Sequence, residues 1–208
     1  MLQYSTIEPR TLDLLKKLMQ IPELNSFYLV GGTALSLYFG HRQSIDLDLF
    51  STKEFTNETV LPALEKAFMN LQYSNPNNQI GLFTFISEIK VDFVKHHYFP
   101  LIDQPIVDDG IRLFGVRDLM AMKIAAILKR GVKKDFWDIS ELLRQYTVED
   151  FINAYNTKYP NQQVLISIPQ ALIYFADAEE SEDPISLKGQ TWKGVKKTIQ
   201  QAVSDYLK

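Results

Sequence analysis

Cysteine is absent from the 208 residues, so neither a disulfide framework nor a thiolate metal site can form. That fits a reducing cytoplasm, the location expected for this chain. Histidine is scarce, and His96 and His97 have no partners at zinc-ligand spacing. No apolar run approaches the roughly 20 residues that a membrane-spanning helix needs. After Met1 the chain reads Leu-Gln-Tyr-Ser-Thr, without the basic and then apolar pattern of a signal peptide. A soluble protein with no membrane partner is therefore expected. A Walker-type Gly-Lys-Ser/Thr loop is missing, which argues against a P-loop NTPase, and no defensible Ser-His-Asp set occurs. Neither sign of charge dominates. The net charge of −3 argues against a surface that coats nucleic acid throughout. Locally the balance differs: residues 117 to 134 hold Arg117, Lys123, Lys129, Arg130, Lys133 and Lys134 against Asp118 alone. The acidic run from Asp177 to Asp183 precedes Pro184 and reads as a solvated loop.

What is present is enough for a packed core. The chain is 46% hydrophobic and 23% charged, which suits one domain or two small ones. Leucines at helical spacing after Pro9 predict a first helix to Gln20. A buried strand over 27–30 follows, then a helix over 33–39 ended by Gly40, then a strand over 45–50. A helix over 57–71 and two hairpin strands, 81–86 and 89–95, complete an α/β half. From Val116 onward the pattern is helical, with helices expected at 116–130, 133–145 and 191–207, Thr147 as a cap, and Pro169 at a further helix start. The expected fold class is α/β: a small mixed sheet with flanking helices over 1–99, followed by a mostly helical region over 100–208.

The segment Tyr28-Leu-Val-Gly-Gly-Thr-Ala-Leu to Ser44-Ile-Asp-Leu-Asp-Leu-Phe50 carries the chemistry. Period-two alternation puts Asp46 and Asp48 on one strand face and Ile45, Leu47 and Leu49 on the core face. Two carboxylates held together repel unless a cation lies between them. An all-oxygen site favours a hard cation such as Mg²⁺, which usually arrives with phosphates. Gly31 and Gly32 permit a tight turn and close approach of a ligand. The helix after them offers free N–H groups and its positive dipole end to an anion. Arg42 stands ready for a phosphate, whereas His41 is read as a packing or hydrogen-bonding group at the helix end. Phe136 and Trp137 are read as helix packing.

These residues resemble the nucleotidyltransferase superfamily, whose signature is an apolar strand, Gly-Gly or Gly-Ser, and then Asp-x-Asp on the next strand. The wording Gly-Gly-Thr-Ala-Leu, Gly40-His-Arg and Ser44-Ile-Asp-Leu-Asp-Leu-Phe resembles the AbiEii/AbiGii toxin family of nucleotidyltransferases, found in type IV toxin–antitoxin systems. The resemblance implies a minimal nucleotidyltransferase core and transfer of a nucleoside monophosphate from an NTP to a hydroxyl, releasing pyrophosphate. It implies a third acid beside the pair, and Asp92 in Ile89-Lys-Val-Asp-Phe-Val94 falls in place. Lys90 and Lys95 flank Asp92, so a simple ion pair stays open as the alternative. On the match, Asp46, Asp48 and Asp92 hold two Mg²⁺ ions, with Mn²⁺ as a substitute, while Gly31, Gly32 and Thr33 hold phosphates.

Met122-Lys-Ile-Ala-Ala-Ile-Leu-Lys-Arg-Gly-Val-Lys-Lys-Asp-Phe-Trp-Asp-Ile139 resembles the family's second block. On that match Lys123, Arg130, Lys134, Asp135 and Asp138 join the site, with Lys123 directed at the triphosphate. Lys123 also interrupts an apolar helix, where an unpaired ammonium is costly. Its amine is expected in the same cleft as the acids. Some relatives modify the 3′ end of tRNA, and the family implies a separately encoded antitoxin. The alternatives are the same fold acting on a protein or small molecule, and a nucleotide-binding module without catalysis.

Overall fold

A computed structural model of the protein describes residues 1–208. After a short 3-10 turn come α1 (Pro9–Met19), β1 (Phe27–Val30), α2 (Gly31–Phe39) and β2 (Leu47–Ser51). Next are α3 (Asn57–Ala67), β3 (Leu71–Tyr73), β4 (Gly81–Ile86), β5 (Ile89–Lys95), β6 (Ile106–Asp108) and β7 (Ile111–Leu113). The chain ends with α4 (Val116–Ile127), α5 (Lys133–Leu142), α6 (Val148–Lys158), α7 (Ile168–Ile173) and α8 (Trp192–Tyr206).

The strands form one mixed sheet in the order β3-β4-β5-β2-β1-β7-β6. β2 runs antiparallel to β1 and parallel to β5, and β7 joins β1 in parallel. The sheet therefore continues past residue 99. β6 and β7, joined by a turn with Asp109 and Gly110 at positive φ, extend it on the β1 side. The α/β part reaches residue 113, and one continuous apolar core runs from Leu2 to Val203. No helix is long and apolar enough to cross a membrane.

Local chemistry explains most elements. Pro9 opens α1 at a position where its missing N–H costs nothing. Gly40 closes α2 with φ +65°, a left-handed cap that glycine adopts without strain. Thr147 and Asp150 form a capping box on α6, and Ser167 and Gln170 form another on α7. Thr191 caps α8 through the Gly194 N–H. The β4–β5 hairpin turns on Ser87 and Glu88, both at positive φ, as a two-residue connection of this hand requires. Phe136 and Trp137 are buried, and Trp137 stacks on Trp192 at 5.9 Å with planes 7° apart.

Three details depart from the sequence reading. α3 stops at Ala67 and Leu71 opens β3 instead of ending the helix. The strand bearing the acids begins at Leu47, so Ile45 is 60% exposed and takes no place in the core. The acidic run after Asp177 is tied down: Glu179 accepts from Trp192 and Lys196, and Asp183 pairs with Lys133.

Candidate active site

β1 enters α2 through Gly31, whose φ of +70° only glycine holds comfortably. A side chain there would also collide with Asp48, since a Cβ would lie 2.5 Å from its Oδ2. A Cβ on Gly32 would overlap Nη2 of Arg42. The two glycines thus let Asp48 and Arg42 close over the helix start, with no side-chain cap on its first N–H groups. Thr33 is buried, and its hydroxyl donates to the Asp46 carbonyl and meets Ser44 Oγ at 2.8 Å. It fixes the backbone that leads into the acidic strand while lining the cleft where the phosphate contact is expected.

A cleft of about 220 Å³ opens between this unit and the helices α4 and α5. One wall holds Gly31, Gly32, Thr33, Arg42, Asp46 and Asp48, and the other holds Met122, Lys123, Arg130, Lys134 and Asp135. Lys134 Nζ spans the opening to Asp46 at 3.7 Å. Lys123 thus shares a cleft with Asp46 and Asp48 but not with Asp92, so the expected convergence with all three acids is met in part, and Lys134 and Asp135 border the same space.

Asp92 stands directly beside Asp48 in the parallel register of β2 and β5, on the same sheet face. Burial, then the neighbouring Asp92 charge, pushes the Asp48 carboxyl above its ordinary range, against the pull of Lys90 and Lys123. The expectation of three carboxylates converging on one cation is met by register but not by side-chain placement. No three acidic or histidine side chains lie close enough to hold a metal ion as they stand. Asp92 is paired with Lys90 at 2.6 Å and lines a neighbouring hollow. Its donor chemistry still suits a hard cation: Asp92 Oδ1 is buried without a hydrogen-bond partner.

Asp138 is fully buried and does not reach the cleft. It is the anchor of two cationic groups, Arg42 and Lys123, and of the His41 ring. Arg42 donates Nε–H at 2.7 Å and Nη2–H at 2.9 Å, and His41 Nε2 lies at 2.7 Å. Lys123 Nζ sits 2.6 Å from Asp138 and 2.8 Å from Asp135. Burial alone raises the Asp138 carboxyl, but the Arg42 and Lys123 charges outweigh it and hold the group well below its usual range. Burial likewise opposes the charge on Lys123, and Asp138 and Asp135 overcome it, leaving the ammonium harder to deprotonate than usual. Arg42 also donates to the Gln43 carbonyl, so only the second N–H of each Nη stays open to an anion.

His41, read as a packing or hydrogen-bonding group at the helix end, does hydrogen-bond, but to a partner that the sequence did not indicate. Its bond to Asp138 crosses 97 positions in the chain, and nothing local announces it. The strip 185–187 is a second omission: Gln43 N–H donates to the Ile185 carbonyl and Leu187 N–H to the His41 carbonyl. These bonds fix the backbone on which Arg42 stands.

The chain matches the model of the "Nucleotidyl transferase AbiEii toxin, Type IV TA system" family over residues 13–206. It belongs to the AbiEii family. This AbiEii protein is 32% identical over 203 residues to the uncharacterized protein aq_aa25 of Aquifex aeolicus (strain VF5), covering 94% of this chain and 95% of that one. Its fold is similar to MenT4, a nucleotidyltransferase toxin of Mycobacterium tuberculosis H37Rv, with a TM-score of 0.57 and 14% identity over 93% of this chain and 82% of that one. It is also similar to JHP933 of Helicobacter pylori, with a TM-score of 0.51 and 13% identity over 96% of this chain and 94% of that one. The nucleotidyltransferase fold and the enzyme class expected from the sequence are thereby established.

The Gly32 contact gives a direct test within this AbiEii site. Gly32→Val is expected to displace Arg42, which Asp138 holds and which cannot move cheaply. Overpacking of this kind costs about 1–3 kcal/mol. A thermal melt will register it, and calorimetric titration of the folded variant should show weakened NTP binding. Unchanged affinity in a folded Gly32→Val protein would remove the glycine turn from the nucleotide site.

Proposed function

We propose that this AbiEii nucleotidyltransferase moves a nucleoside monophosphate from an NTP to a hydroxyl acceptor, and that it is the toxin half of a toxin–antitoxin pair. The observation that carries the reading is the opposition of two chemistries across one cleft. Asp46 and Asp48 line one wall, and Lys123, Arg130 and Lys134 line the other.

The triphosphate lies along the basic wall. Lys123 is held there by Asp135 and Asp138, so its ammonium is positioned before substrate arrives and needs little reorganisation. Arg130 and Lys134 add charge at the more open end, and the N-terminal turn of α2 adds its dipole. Asp138 acts as a positioning residue for Lys123 and Arg42, whereas Asp135 touches both Lys123 and the cleft. Asp46, Asp48 and Asp92 would hold divalent metal, Mg²⁺ by preference, which when bound neutralises phosphate oxygens and lowers the pKa of the acceptor hydroxyl. The acceptor oxygen bonds to the α-phosphorus as the bond from that phosphorus to the β-bridging oxygen breaks. The bridging oxygen keeps the electron pair and leaves in pyrophosphate, facing Lys123. The hydroxyl proton passes to the Asp92 carboxylate and from there to solvent.

The acceptor we favour is an RNA 3′ hydroxyl, with tRNA as the candidate implied by the family resemblance. A cognate antitoxin follows from the family's type IV description. In the test, each NTP labelled at the α-phosphate is incubated with the protein, Mg²⁺ and cellular RNA or protein. Label is expected on RNA from α-labelled but not γ-labelled NTP. Chelation by EDTA should abolish it, and Mg²⁺ or Mn²⁺ should restore it. Failure to label any acceptor under these conditions would overturn the transfer reading.

A further inference from the structure

The sheet face that carries Asp48 and Asp92 continues beyond the cleft. In the β4–β5 register Phe83 stands opposite Asp92 and Phe85 opposite Lys90, and β3 brings Gln72 opposite Phe85. Directly paired residues share a face. Asp48, Asp92 and Phe83 thus form one row across three strands, and Lys90, Phe85 and Gln72 form the next. The reverse face is closed: Leu82, Thr84, Ile86 and Val91 are all buried. The face with the acids is open. Phe85 is 49% exposed, and the Lys90 side chain 45%. A shallow hollow of about 280 Å³ lies there, bordered by Phe83, Phe85, Lys90 and Asp92. The core is closed on the reverse face, so the Phe85 ring stands in water beside the Lys90–Asp92 pair.

We infer that this hollow seats the acceptor, and that the acceptor is the terminal nucleoside of a single-stranded RNA. Its base stacks on Phe85 and Phe83 and its 3′ hydroxyl lies at Asp92. The inference rests on the transfer reading above and adds the acceptor's seat and the rings that would hold its base. The direction of attack supports it. In-line displacement requires the acceptor to approach opposite the departing pyrophosphate. Lys123, Arg130 and Lys134 gather the leaving group on the α4–α5 side, so the approach is from β5, where the hollow lies. Asp92 joins the two spaces, since it lines the hollow and stands beside Asp48, which lines the cleft. The chemistry of the hollow also fits. Aromatic faces stack bases with little regard to sequence, and a cation beside them suits the RNA backbone. A backbone phosphate that drew Lys90 away would release Asp92 Oδ2, which Lys90 occupies at 2.6 Å.

The test uses the full chain and a short 5′-fluorescein RNA with a free 3′ hydroxyl, read by anisotropy without NTP. Wild type should bind it. Phe85→Ala should weaken binding about tenfold or more, the scale of one lost stack. Phe85→Trp should restore affinity, and its added indole emission should fall as RNA binds. NTP affinity, titrated separately, should be the same in all three proteins. Equal RNA affinity in wild type and Phe85→Ala would overturn the inference, and so would label appearing only on protein with no RNA bound. RNA binding that depends on Phe85 but is followed by no α-phosphate transfer would support the hollow as an RNA site and sink the transfer reading alone.

Discussion

Asp138→Ala is expected to lower the free energy of unfolding by about 3–5 kcal/mol, the usual cost of removing one partner from a buried ionic cluster. The residue touches no solvent, and its two oxygens satisfy Arg42, His41 and Lys123 together. Deleting the carboxylate leaves Arg42 and Lys123 buried with Asp135 as the nearest remaining acid. Asp138→Asn keeps the volume and one acceptor, so it should fall between alanine and wild type. The pH dependence gives a second signature. Opposed by burial but held down by Arg42 and Lys123, the folded-state pKa lies well below the ordinary value of 3.8. A depressed carboxylate contributes stability that is present above the unfolded pKa and lost as pH falls through the folded one. Wild type should therefore lose stability below about pH 4, and Asp138→Ala should lack that part of the slope. Urea denaturation at pH 7 and across pH 2–4 will measure both. A loss under about 1 kcal/mol at pH 7 would mean that the cluster relaxes freely and does not hold Lys123 in place.

Why the setting of Lys123 was legible and the partner of His41 was not follows from how each signal is written. Lys123 interrupts an apolar stripe, so burial makes its need for an anion readable from α4 alone. The Asp pair and the Gly-Gly turn are likewise local: the period of a strand and the conformational freedom of glycine are properties of a few adjacent residues. Arg42 carried a readable charge, but its partner lies 96 positions away, so the expected phosphate contact is shared with a structural fork on Asp138. Asp138 is expected to border the cleft with Lys134 and Asp135, and instead lies buried behind it. Only the packing of α5 against α2 turns it inward. β6 and β7 are three residues each and too short to show a period, so their place beside β1 depends on long-range pairing. Ile45 marks the reverse error. Its apolar side chain suited the alternation, yet the strand starts two residues later.

Asp48→Asn should abolish transfer while leaving the fold intact or stronger. Activity is expected to fall by about 10²–10³ or more, the scale seen when one electrostatic group at a reacting centre is removed. Stability should move the other way. Burial and the adjacent Asp92 raise the Asp48 pKa, so its ionised form is disfavoured in the folded protein. For a raised carboxyl the sign reverses relative to Asp138: the destabilisation is absent below the unfolded pKa and complete above the folded one. Asn keeps the shape and removes the charge. The variant should therefore melt at or above the wild-type temperature at pH 7, and any advantage should vanish as the pH approaches 3, where both states of the wild-type group are protonated. Asp92→Asn makes the contrast, because it leaves the Lys90 ammonium without its partner. Comparison of kcat/KM for α-phosphate transfer with melting curves at pH 7 and pH 3 separates the two effects. An Asp48→Asn protein that keeps activity within tenfold of wild type would place the reaction elsewhere. One that melts several degrees lower at pH 7 would mean that Asp48 holds the fold together, since a carboxylate kept for chemistry carries its charge at the expense of stability.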